Sequence, residues 1–182
     1  MNTTSPTITG GLFLNNLPQR KPTRLKNFDY ARGGAVFVTI CVQDNILLFS
    51  DISKNEKGEC ILTLTEYGEI AKKHIEGINL KYPLFTVDNY VIMPNHFHII
   101  LTKDRTEAPE QTTSRVIGWL KYAITSEINK NENVPGRKIF QRSFYDHIIE
   151  GIKDYMNHWN YIYENPFAWK DDFYFICADN DE

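Results

Sequence analysis

The chain has 182 residues, 42% of them hydrophobic and 13% aromatic, a balance that suits one globular domain with a full core and excludes a disordered protein. No apolar run approaches the roughly 18 residues of a membrane span, and the amino terminus lacks the basic and apolar regions of a secretory signal, so the cytoplasm is the expected location. The net charge of −3 alone speaks against a nucleic-acid partner, but the charge is unevenly spread. Asp171, Asp172, Asp179, Asp181 and Glu182 crowd the end of the chain. Setting those five aside from the 23 acidic residues leaves the remainder weakly positive against 20 lysines and arginines. Arg20, Lys21, Arg24, Lys26 and Arg32 form a basic segment interrupted by Asp29. Such a segment binds phosphates as a local patch, or stands as a solvated surface. Cys41, Cys60 and Cys177 lie far apart without metal spacing, which reads as reduced, partly buried thiols.

Along the chain, residues 1–18 are rich in Thr, Asn, Gly and Pro without a sustained period and read as a loose arm. Gly33-Gly34 opens a β-branched run from Ala35 to Val42 that predicts a buried strand. Residues 45–60 read as a hairpin or loop region turning at 54–58, and Leu62-Thr63-Leu64 as a short strand. Thr65 or Glu66 starts a helix expected to reach about Leu80, with Ile70, Ala71, His74 and Ile78 at helical spacing. Phe85 to Met93 and His96 to Thr102 predict two strands separated by a Pro94-Asn95 turn. In the second, Phe97, Ile99 and Leu101 fall on one face and His96, His98 and Ile100 on the other.

After a polar stretch at 103–113, Ser114 is the expected cap of a helix to about Asn129, with a buried stripe of Val116, Trp119, Leu120, Ala123 and Ile124. Residues 130–138 read as a charged loop and Phe144 to Ile149 as an edge strand. A last helix spans about Gly151 to the residue before Pro166. This order is an α+β pattern, not a repeating βα one. One domain is expected over 19–170, followed by an acidic tail at 171–182.

Two features carry chemistry. His96 and His98, at i and i+2 on a strand, project side by side and can bind one metal, although a packed or surface role is the commoner fate of such histidines. On the last helix, Ile152, Met156, Trp159 and Tyr163 form the expected packed stripe, with Tyr155 and Ile162 at its edge. Tyr161 falls opposite, on a side shared with Asp154, His158 and Asn165. Tyr161 and Asn165, at i and i+4, present a hydroxyl and a carboxamide to the same point. If that face looks at the histidines, a cation held by His96, His98 and Asn165 would offset charge on a phosphodiester oxygen while Tyr161 attacks phosphorus. Mg²⁺ or Mn²⁺ suits imidazoles with an oxygen ligand and open positions, and imidazole also suits zinc.

At these residues the chain resembles a known family. Residues 90–100, Tyr90-Val91-Ile92-Met93-Pro94-Asn95-His96-Phe97-His98-Ile99-Ile100, resemble the signature of single-tyrosine HUH transposases. Tyr161-Ile162-Tyr163-Glu164-Asn165-Pro166 resembles the Y-I-x-x-N-P segment of their REP-associated branch. Residues 140–147 are similar to that branch's W-Q-R-x-F-x-x-H stretch, with Phe140 in place of the usual tryptophan, and Gly34 to Thr39 also matches. The four motifs fall in order across about residues 22–169. The resemblance implies a ferredoxin-like α+β sandwich around an antiparallel sheet. It implies metal ligation by His96, His98 and Asn165, and a Tyr161 nucleophile. It also implies cutting and rejoining of single-stranded DNA beside imperfect palindromic hairpins through a 5′-phosphotyrosine, by a monomer or a homodimer associated with the nucleoid when on DNA. Arg142, matching the motif arginine, is either a DNA phosphate contact or a surface ion-pair partner. His147 either orients the site or caps it, and His74 reads as structural. Two rival functions remain: a hairpin-binding protein that does not cut, and a metal hydrolase of small phosphoesters.

Overall fold

The computed structural model describes residues 11–13, 34–104, 111–172 and 174–175. The strands are β1 (Gly11–Phe13), β2 (Ala35–Cys41), β3 (Ser50–Lys54), β4 (Cys60–Leu64), β5 (Phe85–Ile92), β6 (His96–Lys103) and β7 (Tyr145–Ile148). The helices are α1 (Glu66–Glu76), α2 (Ile78–Lys81), α3 (Thr113–Asn131) and α4 (Gly151–Glu164).

The larger sheet has the order β5-β6-β2-β7 and is antiparallel throughout. With the β3–β4 hairpin set aside, the chain runs strand, helix, strand, strand, helix, strand, and the first and third of these strands lie at the centre. That is the ferredoxin-like arrangement, and each crossover helix has a sheet face to cover. The β3–β4 hairpin pairs with β1 in a separate small sheet, and Gly58 supplies the positive φ that its turn requires.

The period-two alternation of the central strands divides the molecule. Val38 and Ile40 of β2 join Phe97, Ile99 and Leu101 of β6 beneath α1 and α3, which contribute Ala71, Ile75, Val116, Leu120 and Ile124. Phe140, at the motif's tryptophan position, joins this core by stacking on Phe49 at 5.6 Å. The opposite face carries Phe37, Val91 and Ile100, packed by Tyr155 and Ile162 of α4.

Local detail differs from expectation at three points. The first helix breaks at Gly77 and resumes as α2, while Thr65 caps it by accepting from the Gly68 amide. At Gly68 a Cβ would come within 2.0 Å of the Phe49 carbonyl oxygen, so only glycine permits this approach of helix to chain. The α3 cap is Thr112, not Ser114, because Thr112 already accepts from the Arg115 amide and starts the helix two residues earlier.

The third difference matters most. The packed stripe of α4 centres on Tyr155, His158 and Ile162, joined by Trp159 and Met156, so two of the four expected stripe residues pack and the two expected edge residues lie at its middle. Ile152 and Tyr163 are exposed. The helix is rotated because it docks on a sheet face that itself carries polar groups.

Candidate active site

His96 and His98 are buried side by side where β6 leaves the Pro94-Asn95 turn. Their Nε2 atoms are 3.0 Å apart. Asn95 Nδ2 donates to the carbonyls of Asn45 and Tyr174, at 3.3 and 2.8 Å, which fixes the amide orientation. Its Oδ1 therefore accepts from His96 Nδ1 at 2.9 Å, and His96 Nε2 is left with its lone pair. His98 Nδ1 lies 2.9 Å from the buried hydroxyl of Thr39 on β2, which can donate or accept. When Thr39 accepts, both Nε2 lone pairs converge on one point.

Burial favours the uncharged rings. It pushes His96 down to about 4, against the opposing pull of the nearby Asp172 carboxylate and of Asn165. Burial also holds His98 well below the usual imidazole range, and the charges of His96 and His158 add to that. Neutral imidazoles with fixed tautomers are the form in which histidine binds metal.

Helix α4 brings the remaining parts. Tyr161 meets His98 edge-on with ring centroids 5.0 Å apart and meets Phe37 at 5.9 Å, yet it is 44% exposed. It lies on the flank of α4, about 100° around from the centre of the packed stripe. Burial raises its phenol, Asp172 raises it further, and the Asn165 carboxamide lowers it. Asn165 is buried, and its Nδ2 donates to Asp172 Oδ2 at 2.8 Å. Its Oδ1 finds no hydrogen-bond partner among the described residues, an arrangement that costs free energy unless something electropositive sits there.

Asp172 completes the cluster: its carboxylate and the two imidazoles place ligand atoms within 4.8 Å of one another. The converging Nε2 atoms, the unpartnered Asn165 oxygen and this carboxylate fit a divalent cation. Tyr174 follows, with its ring 4.5 Å from that of His96. A cleft of about 500 Å³ opens beside them, with Phe37, His98, His158, Tyr161 and Tyr174 among its walls.

The sequence-derived set is thus largely brought together: His96, His98, Tyr161 and Asn165 share one site. Asp172 was missed, because it lies beyond the last motif in a tail whose charge alone suggested no partner. Its closeness to Tyr161-x-x-x-Asn165 was the available signal, and a weak one. Arg142 is exposed, and its backbone carbonyl accepts from Lys121 Nζ. Arg20, Lys21, Arg24, Lys26 and Arg32 lie outside the described residues, as does Cys177. His147 bonds Asp154 at 2.9 Å, and His74 pairs with Glu127 of α3 at 2.8 Å, in keeping with a structural role for His74. Among the described residues no helix is long and apolar enough to cross a membrane.

No protein-family model matches the chain. The fold is that of a tyrosine transposase. A solved structure of a REP-associated tyrosine transposase bound to a REP hairpin superposes with a TM-score of 0.51 at 23% identity, covering 80% of this chain and 74% of that one. An uncharacterised protein of Haemophilus influenzae is 32% identical over 171 residues, covering 84% of this chain and 91% of its own length. The REP-associated tyrosine transposase of Escherichia coli is 30% identical over 139 residues, 75% of this chain and 68% of the relative. The chain belongs to the REP-associated tyrosine transposase family.

Proposed function

We propose that this protein is a metal-dependent nuclease and strand transferase that cuts and rejoins single-stranded DNA beside palindromic hairpins. The observation that carries the reading is the position of Tyr161: packed edge-on against the buried His98, but exposed at the mouth of the cleft. Its family membership and the REP hairpin held by its solved structural relative support hairpin DNA as the substrate.

His96, His98, Asn165 and Asp172 are the residues that would hold the cation, Mg²⁺ or Mn²⁺. When bound, it supplies positive charge that offsets the phosphodiester anion and favours the ionised phenol over the neutral one. Asn95 holds His96 in its ligating tautomer, and Thr39 does the same for His98 when its hydroxyl accepts from Nδ1. The Tyr161 oxygen attacks phosphorus and loses its proton; the bond to the 3′-oxygen breaks, and that oxygen takes up a proton as a free 3′-OH. The 5′-phosphate remains on Tyr161, conserving the bond for rejoining by a later hydroxyl. Arg142 and the basic segment at 20–32 supply phosphate contacts along the hairpin. The protein acts on DNA in the cytoplasm.

The test is covalent trapping. The protein and its Tyr161→Phe variant are incubated with Mn²⁺ and labelled hairpin-bearing single strands. A denaturation-resistant band is expected with the parent protein, lost on chelation and reduced roughly 10³-fold or more in the variant. Equal hairpin binding by both proteins without an adduct would refute cleavage and leave a recognition module.

A further inference from the structure

A second group of metal-ligating side chains stands beside the first without belonging to it. His147 comes from edge strand β7, where it pairs in register with Phe37. Asp154 and His158 come from the first two turns of α4, where i,i+4 spacing puts them on one face. His147 Nε2 lies 2.9 Å from Asp154 Oδ2, and His158 Nδ1 lies 3.1 Å from Asp154 Oδ1. The two rings stack 4.7 Å apart at 25°. One ligand atom from each of the three residues falls within 4.8 Å of the others. The Glu150 amide donates to Asp154 Oδ2 at 2.9 Å and is the main reason that its carboxyl is held below the usual range, with His147 and His158 adding to the effect.

We propose that His147, Asp154 and His158 form a second divalent-cation site, of transition-metal type, separate from His96 and His98. Two imidazoles and a carboxylate suit Zn²⁺ and its neighbours better than Mg²⁺ or Ca²⁺, which prefer all-oxygen shells. Ligand atoms about 2.1 Å from a tetrahedral metal lie about 3.4 Å from each other, so the separations of 2.9 and 3.1 Å here need to open by only about 0.3–0.5 Å. A cation enters when each neutral ring carries its hydrogen on the other nitrogen, which frees His147 Nε2 from Asp154 Oδ2 and His158 Nδ1 from the Asp154 backbone carbonyl that it bonds at 3.0 Å. All three side chains are partly exposed, at 39% for His147, 26% for Asp154 and 21% for His158, so the ion reaches them from water and keeps open positions.

Two consequences follow from placement. The ion ties the sheet edge at β7 to α4, one turn before Tyr161. It also adds positive charge beside the cleft, because His158 forms part of the wall and packs on Phe37 at 4.6 Å, which in turn stacks on His98 at 5.1 Å. The use of that charge on a DNA phosphate rests on the function proposed above; the metal site itself does not.

The experiment is Zn²⁺ stoichiometry on the chelator-stripped full chain by equilibrium dialysis. Two ions per chain are expected for the parent, one for His96→Ala/His98→Ala and one for His147→Ala/His158→Ala. In the first double variant, Co²⁺ should give a visible d–d spectrum that Asp154→Asn removes. A parent stoichiometry of one that vanishes in His96→Ala/His98→Ala would overturn the proposal, as would two ions retained by His147→Ala/His158→Ala. Asp154→Asn, nearly isosteric, covers the case in which that double variant does not fold: at least tenfold weaker binding at one of two sites is expected, and unchanged affinity at both refutes the assignment. Two bound ions with no Tyr161 adduct would sink strand cleavage and leave this site standing.

Discussion

The two faces of the central sheet are built from the same strands yet obey different rules. Beneath α1 and α3, alternate residues of β2 and β6 are uniformly apolar: Val38, Ile40, Phe97, Ile99 and Leu101. Toward α4, the intervening positions are Phe37, Thr39, His96, His98 and Ile100, and two of the buried groups are imidazoles. One face supplies burial, which is tolerant of which aliphatic residue provides it. The other places hydrogen-bonding groups so that their lone pairs converge, at a cost in solvation. A rigid apolar layer beneath is what lets the polar layer hold its geometry.

The comparison can be broken first by Ile99→Ala. Ile99 is fully buried beneath the helices, so truncation should cost about 2–5 kcal/mol, read from urea unfolding, while adduct formation per folded molecule stays near the parent's. Loss of activity in the fully folded fraction would show that the two faces are not separable. Thr39→Val removes the hydroxyl behind His98 at similar volume. Mn²⁺ affinity should fall roughly 10- to 100-fold, by titration calorimetry in the His147→Ala/His158→Ala background so that a single site is read. An unchanged affinity would remove Thr39 from the site's support. Asp172→Asn keeps the shape and loses the charge: adduct yield at limiting Mn²⁺ should drop about tenfold and recover at saturation. Failure to recover would point to a role other than holding the ion.

The smallest effect is on stability against pH in the presence of chelator. His96 and His98 ionise less readily when folded than when unfolded, where imidazole titrates near 6.5. Below about pH 6.5 the unfolded chain therefore binds more protons, and stability falls as pH drops toward about 4, the folded value of His96. A melting temperature that declines across that window in the parent, and less steeply in His96→Gln/His98→Gln, is the expected outcome. Parallel profiles would place the proton uptake elsewhere.

These differences also explain what was legible in the sequence. The alternation of β6 was plain because one of its faces is purely apolar, and the pairing of Tyr161 with Asn165 followed from helical spacing. The succession of strands and helices pointed to an α+β class, and the family resemblance supplied the ferredoxin-like arrangement. The packed stripe of α4 is legible only in part: Met156 and Trp159 pack as their spacing predicts, but Ile152 and Tyr163 do not, because the helix centres on Tyr155, His158 and Ile162 against a face that carries His96 and His98. A hydrophobic period fails where a helix serves a site. Asp172 was invisible for another reason: no periodicity connects a short turn after α4 with β6, and only the folded chain brings them within reach. The cap of α3 shifted by two residues because Thr112 and Ser114 are both good caps, and local geometry made the choice.

Asn95 turns the site into its own reporter. The His96 ring proton it receives is buried and bonded to an amide whose orientation two carbonyls enforce, so it exchanges slowly with water and should appear as a resolved downfield line in a nuclear magnetic resonance spectrum. That line would move when an ion arrives on the far side of the ring and hold still when DNA binds elsewhere, which makes one hydrogen enough to time the order of assembly.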